Sequence, residues 1–252
     1  MKAIILAAGK GTRLEELTYG TNKILLPVGT RPIIEYVIDN LSNSENITEA
    51  FVAVSYHGDA VKNYIEKTNS KRKIDVKAID VLGWETGGDL KLAAVEAEIY
   101  DDSEPFLVCY GDNLTKIDVD GLTETHKKKR KTATVALFPV PEEQKGRFGI
   151  AEIDNDNLIR RFIEKPKEGE TESNLANAGY IVAEPRFPDL IPLRKIKMES
   201  VVFPKLAEEG DLVGHIFDPP YWIDIGTKDS YLEANIQILK ESGIIAPPNN
   251  KK

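Results

Sequence analysis

Two glycines, Gly9 and Gly11, follow an apolar run, Ala3-Ile4-Ile5-Leu6-Ala7, near the start of the 252-residue chain. Glycine lets the backbone approach an anion closely and aim several N–H groups at it. Arg13 and Lys23 add fixed positive charge to the same stretch. The combination suits a nucleoside triphosphate. Two familiar phosphate loops are excluded by spacing. No G-x-x-x-x-G-K-[ST] can be written, and Leu14 stands where a dinucleotide fingerprint needs its third glycine. Taken alone, Gly9-Lys10-Gly11 reads as an ordinary turn after a strand.

Asp112 follows the apolar run Phe106-Leu107-Val108-Cys109-Tyr110 and Gly111. Open α/β sheets bind ligands beyond the carboxyl ends of such strands. Asp224 lies among apolar neighbours in Tyr221-Trp222-Ile223-Asp224-Ile225-Gly226, and an acid there is costly unless paired or metal-bound. Together the two suit Mg²⁺, which takes few protein carboxylates and completes its shell with water and phosphate. A turn cap at Asp112 and a salt bridge at Asp224 are the structural alternatives.

Glu164-Lys165-Pro166 closes a strand-like segment. Lys165 there suits a phosphate and Glu164 a hydroxyl, although an exposed strand end reads equally well. Gly87-Gly88 either leaves room for a flat group such as a base or only shapes a turn. Gly179, after Asn177-Ala178, permits close approach on a strand.

Across the whole chain, a net charge of −8 and 41% hydrophobic residues describe a globular protein and exclude a general nucleic-acid binder. An anionic substrate then has to be met by local cations. Cys109 is the one cysteine, so no internal disulfide forms, consistent with a cytoplasmic protein. No apolar stretch is long enough for a membrane span. His57, His126 and His215 sit in unrelated contexts and form no metal pair. The run Lys127 to Lys131 reads as a solvated helix end.

Periodicity predicts helices over 32–41, with Thr30 as cap, and over 59–67, 86–99, 120–129, 198–209 and 228–239. Strands are predicted over 50–56, 74–81, 105–110, 132–140 and 175–183, with a hairpin over 148–153 and 158–163. The first half alternates strand and helix. That rhythm predicts an α/β protein with a parallel sheet covered on both faces. One domain over 1–245 and a frayed tail over 246–252 are expected. The sequence leaves the oligomeric state, including a homo-oligomer, open.

The chain resembles the sugar-phosphate nucleotidylyltransferases, or nucleotide-sugar pyrophosphorylases. The resemblance rests on Leu6-Ala7-Ala8-Gly9-Lys10-Gly11-Thr12-Arg13-Leu14 and on Lys23 ahead of Leu25-Leu26-Pro27-Val28. It continues at Thr86-Gly87-Gly88, Gly111-Asp112-Asn113, Glu164-Lys165-Pro166, Asn177-Ala178-Gly179 and Trp222-Ile223-Asp224-Ile225-Gly226, in the family's order. It implies a mixed, mainly parallel sheet in the nucleotide-diphospho-sugar transferase fold. It also implies an enzyme that joins an NTP and a sugar 1-phosphate into an NDP-sugar and pyrophosphate. By that resemblance Leu6, Ala7, Ala8, Gly9, Gly11, Thr12 and Arg13 hold the nucleotide, and Gly88 lies near the base. Arg13 and Lys23 stabilise charge on the phosphates, and Asp112 and Asp224 bind Mg²⁺. Glu164, Lys165, Asn177 and Gly179 face the sugar phosphate.

Three departures stand out. Glu15-Glu16 replaces the Arg-Pro of many members, and Asn22 precedes Lys23 where many have proline. Glu85-Thr86-Gly87-Gly88-Asp89-Leu90 stands where many have Gly-Thr-Ala-Gly-Ala-Leu. No hexapeptide-repeat region is present, so no acetyltransferase activity is expected. The Gly111-Asp112-Asn113 form resembles glucose-1-phosphate thymidylyl- or uridylyltransferases, the preferred reading. Glu199 to Leu206 looks more like mannose-1-phosphate guanylyltransferases. Two rivals remain: a non-catalytic regulatory homologue, and a glycosyltransferase using Asp118-Val119-Asp120 as its metal motif.

Overall fold

The computed structural model describes residues 1–245, and the expected tail at 246–252 lies outside the described residues. The chain begins with β1 (Lys2–Leu6). A short ribbon of β2 (Pro27–Val28) and β3 (Arg31–Pro32) leads into α1 (Ile33–Ser42). Then come β4 (Glu49–Val54), α2 (Gly58–Thr68), β5 (Asp75–Asp80), α3 (Glu85–Glu96) and β6 (Phe106–Tyr110). β1 lies between β4 and β6, parallel to both, and β4 is parallel to β5. This is the arrangement that continuous apolar runs separated by helices demand. Ile5 faces one apolar layer with Val37 of α1 and Val61 of α2, whereas Ile4 faces the other with Leu90 and Ala93 of α3.

The second half is less regular. β7 (Asn113–Thr115) and α4 (Val119–Lys129) precede β8 (Ala133–Pro139), β9 (Gly149–Ile153), β10 (Ile159–Glu164) and β11 (Leu175–Ala183). α5 (Met198–Glu208), β12 (Leu212–Ile216), β13 (Trp222–Asp224) and α6 (Lys228–Glu241) complete the chain. β11 runs antiparallel to β6, β8 and β9, which converts the parallel array into one mixed sheet of nine strands. The α/β class and helices on both faces are as expected.

Local differences have local causes. Thr30 does not cap α1. The residues after it form β3, and Pro32, with φ fixed near −56°, is itself the N-cap. The helix expected to reach 99 stops at Glu96, because Glu98 turns left-handed before a tight turn over Ile99–Asp101. β7 and β13, three residues each, pair only with one another, Asp224 opposite Asn113. Strands this short carry too little periodicity to be read from sequence.

Candidate active site

A cleft of about 710 Å³ opens where β1, β4, β5 and β6 end. Leu6, Ala7, Ala8, Gly9, Thr12, Lys23 and Asp112 all lie on its wall. Gly11 and Arg13 are not on that wall, and Arg13 is exposed. Gly11 has φ +63°, and a Cβ there would come within 3.1 Å of Thr18 and 3.3 Å of Lys23. Its glycine is thus required by a left-handed turn against its own loop. The Thr18 hydroxyl donates to the Gly11 carbonyl at 3.2 Å and helps close that loop.

Two departures from the family pattern have structural explanations. Glu15 and Glu16 turn outward, and Lys228 at the start of α6 donates to both, at 2.7 and 3.0 Å. Their charge is met there. Asn22 is fully buried. Its amide donates to the Tyr56 carbonyl at 2.7 Å, and its Oδ1 accepts from the Ile24 N–H at 3.1 Å. One side chain thus caps the turn that carries Lys23 and ties it to the end of β4.

Lys23 forms an ion pair with Asp112, both largely buried. The backbone carbonyl of Asp112 accepts from the Ile225 N–H at 3.1 Å. With Asp224 opposite Asn113, the β7–β13 ribbon brings the backbones of Asp112 and Asp224 close together. The Arg13 guanidinium packs against Gly226, where a Cβ would lie 2.8 Å from its Nη2 and 3.1 Å from Asp224 Oδ1. No cluster of three or more His, Cys, Asp or Glu side chains forms among the described residues. Two hard carboxylate donors, with water and phosphate completing the shell, fit Mg²⁺ and fit a thiolate- or imidazole-seeking metal poorly. Asp118 and Asp120 are engaged elsewhere: Asp118 caps α4 through the Gly121 N–H, and Asp120 accepts from Ser44 and Asn46. The Asp-x-Asp sequence is therefore a helix start.

A polar group that sequence reasoning missed sits beside the cleft. Thr86 and Tyr110 line it, and both donate to the buried carboxylate of Glu199, Thr86 at 2.5 Å. Burial pushes the Glu199 carboxyl above its usual range, and burial with the nearby acids Glu199 and Glu164 pushes the Tyr110 phenol up. Glu164 pairs with Lys197 at 3.7 Å. Lys165 is exposed, with φ +54°, and its ammonium has no ion-pair partner among the described residues. Asn177 is buried, and its Oδ1 accepts from the Gly179 N–H at 2.9 Å. A Cβ at Gly179 would fall 2.6 Å from Asn113 Nδ2 and 2.7 Å from the Tyr110 ring.

The close approach allowed by Gly88 is to protein. A Cβ there would meet the Arg194 carbonyl at 2.6 Å, and the Gly87 and Gly88 N–H groups donate to the Ile196 carbonyl. The cleft wall at this end is instead Ser55, Leu82, Gly83, Trp84, Glu85 and Lys195. No sequence motif marks these positions, apart from the departure at Glu85.

Known proteins share this fold. Mannose-1-phosphate guanyltransferase of Saccharomyces cerevisiae is 32% identical over 95% of this chain and 65% of its own length. That of Aspergillus oryzae is 33% identical over 98% and 68%. The chain thus spans about two thirds of the length of these relatives. Among solved structures, a putative glucose-1-phosphate thymidylyltransferase from Bacillus anthracis superposes with a TM-score of 0.80 at 26% identity, covering 94% of each chain. UDP-glucose pyrophosphorylase from Acinetobacter baumanii shares the fold, with a TM-score of 0.79 at 19% identity over 95% of this chain and 93% of its own. Residues 2–241 match the nucleotidyl transferase family throughout, and the chain belongs to that family.

Proposed function

We propose that residues 1–245 act as one nucleotidyltransferase domain, joining an NTP and a hexose 1-phosphate to give an NDP-sugar and pyrophosphate. One observation carries this reading. The glycine loop, Lys23 and Asp112 meet on one cleft wall, with Asp224 brought alongside by the β7–β13 ribbon. A regulatory homologue that had lost the chemistry would not be expected to keep these groups together.

A sugar-phosphate oxygen attacks the α-phosphorus. The bond to the bridging oxygen breaks, and pyrophosphate leaves with its electron pair. The attacking oxygen is already ionised at neutral pH, so no general base is needed. This agrees with three histidines that all lie off the cleft wall. Backbone N–H groups of the loop over 8–12 hold the triphosphate. Lys23 and Arg13 offset charge developing on the departing phosphates. Asp112 and Asp224 would hold Mg²⁺, which supplies charge neutralisation at the phosphates. Glu164, Lys165, Asn177 and Gly179, which lie off the cleft wall, would position the sugar phosphate beside Tyr110. Rate then comes from in-line positioning and preorganised charge.

The names of the relatives make GTP with mannose 1-phosphate the first pair to test. Glucose 1-phosphate with dTTP or UTP, preferred from sequence, comes second. A crossed panel of NTPs and hexose 1-phosphates with Mg²⁺, read by pyrophosphate release, should show turnover for at least one pair. No release across the panel, and no reverse reaction, would remove the reading. The lone cysteine, buried at Cys109, suits a cytoplasmic enzyme, and no helix among the described residues is long and apolar enough to cross a membrane.

A further inference from the structure

Of the departures from the family pattern, Glu85 alone is unexplained by the fold. Asp89 has a structural role, because its buried carboxylate accepts from the Trp84 N–H at 2.8 Å and fixes the loop ahead of α3. The same loop is held from its other side, where the Ile196 N–H donates to the Trp84 carbonyl at 3.0 Å. Glu85 follows directly, at φ +63°. Few non-glycine residues adopt this left-handed conformation, and glycine, which stands here in many members, adopts it freely. A glutamate at that backbone position is therefore kept at a cost. Its side chain does not anchor the fold, being 41% exposed with one loose partner, Lys195 at 3.8 Å. What Glu85, Trp84 and Lys195 share is the cleft wall.

Resting on the reading of this cleft as an NTP site, we propose that Glu85 selects guanine, its carboxylate accepting the N1–H and N2–H donors of the base edge. An ionised carboxylate only accepts hydrogen bonds. Guanine is the one common nucleobase with two adjacent donors, which a carboxylate takes in a bidentate pair. Uracil and thymine present a single N–H between two carbonyls, so the carboxylate meets an oxygen. Adenine and cytosine place a ring acceptor beside their amino group. Beside the two donors, guanine carries O6, an acceptor, and the Lys195 ammonium stands next to the Glu85 carboxylate to meet it. The half-buried Trp84 offers an aromatic surface at the same wall. The exposed Glu85–Lys195 pair is easily opened for this exchange.

The test is equilibrium binding of GTP, ITP, UTP and dTTP to the full chain with Mg²⁺, with kcat and KM measured for each nucleotide turned over. ITP lacks only the N2 amino group. Wild type should bind GTP tightest, about tenfold or more ahead of ITP and further ahead of the pyrimidines. Glu85→Gln and Glu85→Gly should each weaken GTP about tenfold or more, with the rise falling on KM, and should bind GTP and ITP alike. Glu85→Gly relieves the left-handed backbone and should melt no lower than wild type, which separates base recognition from folding. Tighter wild-type binding of UTP or dTTP, or unchanged GTP binding in both variants, would overturn the assignment while leaving nucleotidyl transfer intact. GTP selectivity through Glu85 without turnover would instead remove the reaction and keep the base. No nucleotide binding at all would remove both.

Discussion

At the scale of single residues, the cleft is built on charges held ready. Asp112 stands out because it pairs with Lys23 through its side chain and with Ile225 through its backbone. Asp112→Asn keeps the size of the side chain and the backbone bond but removes the negative charge. Turnover should fall by about 10²-fold or more, with far-UV circular dichroism unchanged. Unaltered kinetics would exclude Asp112 from the proposed metal pair. Asn22 works through position. Asn22→Ala leaves the half-buried Tyr56 carbonyl without its amide donor and the buried Ile24 N–H without its acceptor. The cost should be about 1–3 kcal/mol in urea unfolding, with a further loss of activity because Lys23 begins the turn that Asn22 caps.

At the scale of elements, glycines set how closely segments pass. Gly179 lies in β11 with φ +77°, at the irregularity between Asn177 and Ile181. Gly179→Ala would force the left-handed backbone onto alanine and press a methyl into Tyr110 and Asn113. A loss of about 3 kcal/mol is expected in denaturant unfolding. Much of this architecture is legible in the sequence. β1, β4 and β6 announce themselves as apolar runs, and α1 and α2 by helical spacing, because burial dictates composition. The glycine loop is legible only as a turn after a strand, and its proposed nucleotide role rests on the whole set of motifs. Trp84, Glu85, Lys195 and Glu199 do not read as one neighbourhood. They come together only because the segment over 194–196 is strapped onto the start of α3 by long-range backbone bonds, and no local pattern encodes those. Gly88 shows the same limit: glycine signals a close approach without naming what approaches.

At the scale of the whole molecule, stability should depend on pH through buried histidine. His126 on α4 is 1% exposed, between Thr134 and Glu184. Burial lowers its pKa, and the Glu184 carboxylate opposes only part of that shift. Below about pH 6.5 an unfolded chain takes up a proton that the folded imidazole still refuses. Stability is therefore complete above that pH and falls as pH drops toward the lower folded value. His215, also depressed by burial, acts in the same direction. His126→Gln should flatten part of this dependence, measured as urea midpoints between about pH 7.5 and about pH 5.5. An equal slope in both proteins would refute the assignment.

The β7–β13 ribbon also sets a clock. Asn113 and Asp224 are neighbours across it, yet they are joined by more than a hundred residues of intervening chain. Pairing of such distant segments forfeits loop entropy before any contact compensates it, and chains rich in such pairings fold slowly. The glycine loop is closed locally by Thr18, but Gly226 and Lys228 meet it from the far end of the chain. In refolding from urea, circular dichroism should recover first, and binding of nucleoside triphosphate and catalytic turnover only once these distant segments have paired. A nascent chain would then hold its parallel strands well before it has anywhere to keep a nucleotide.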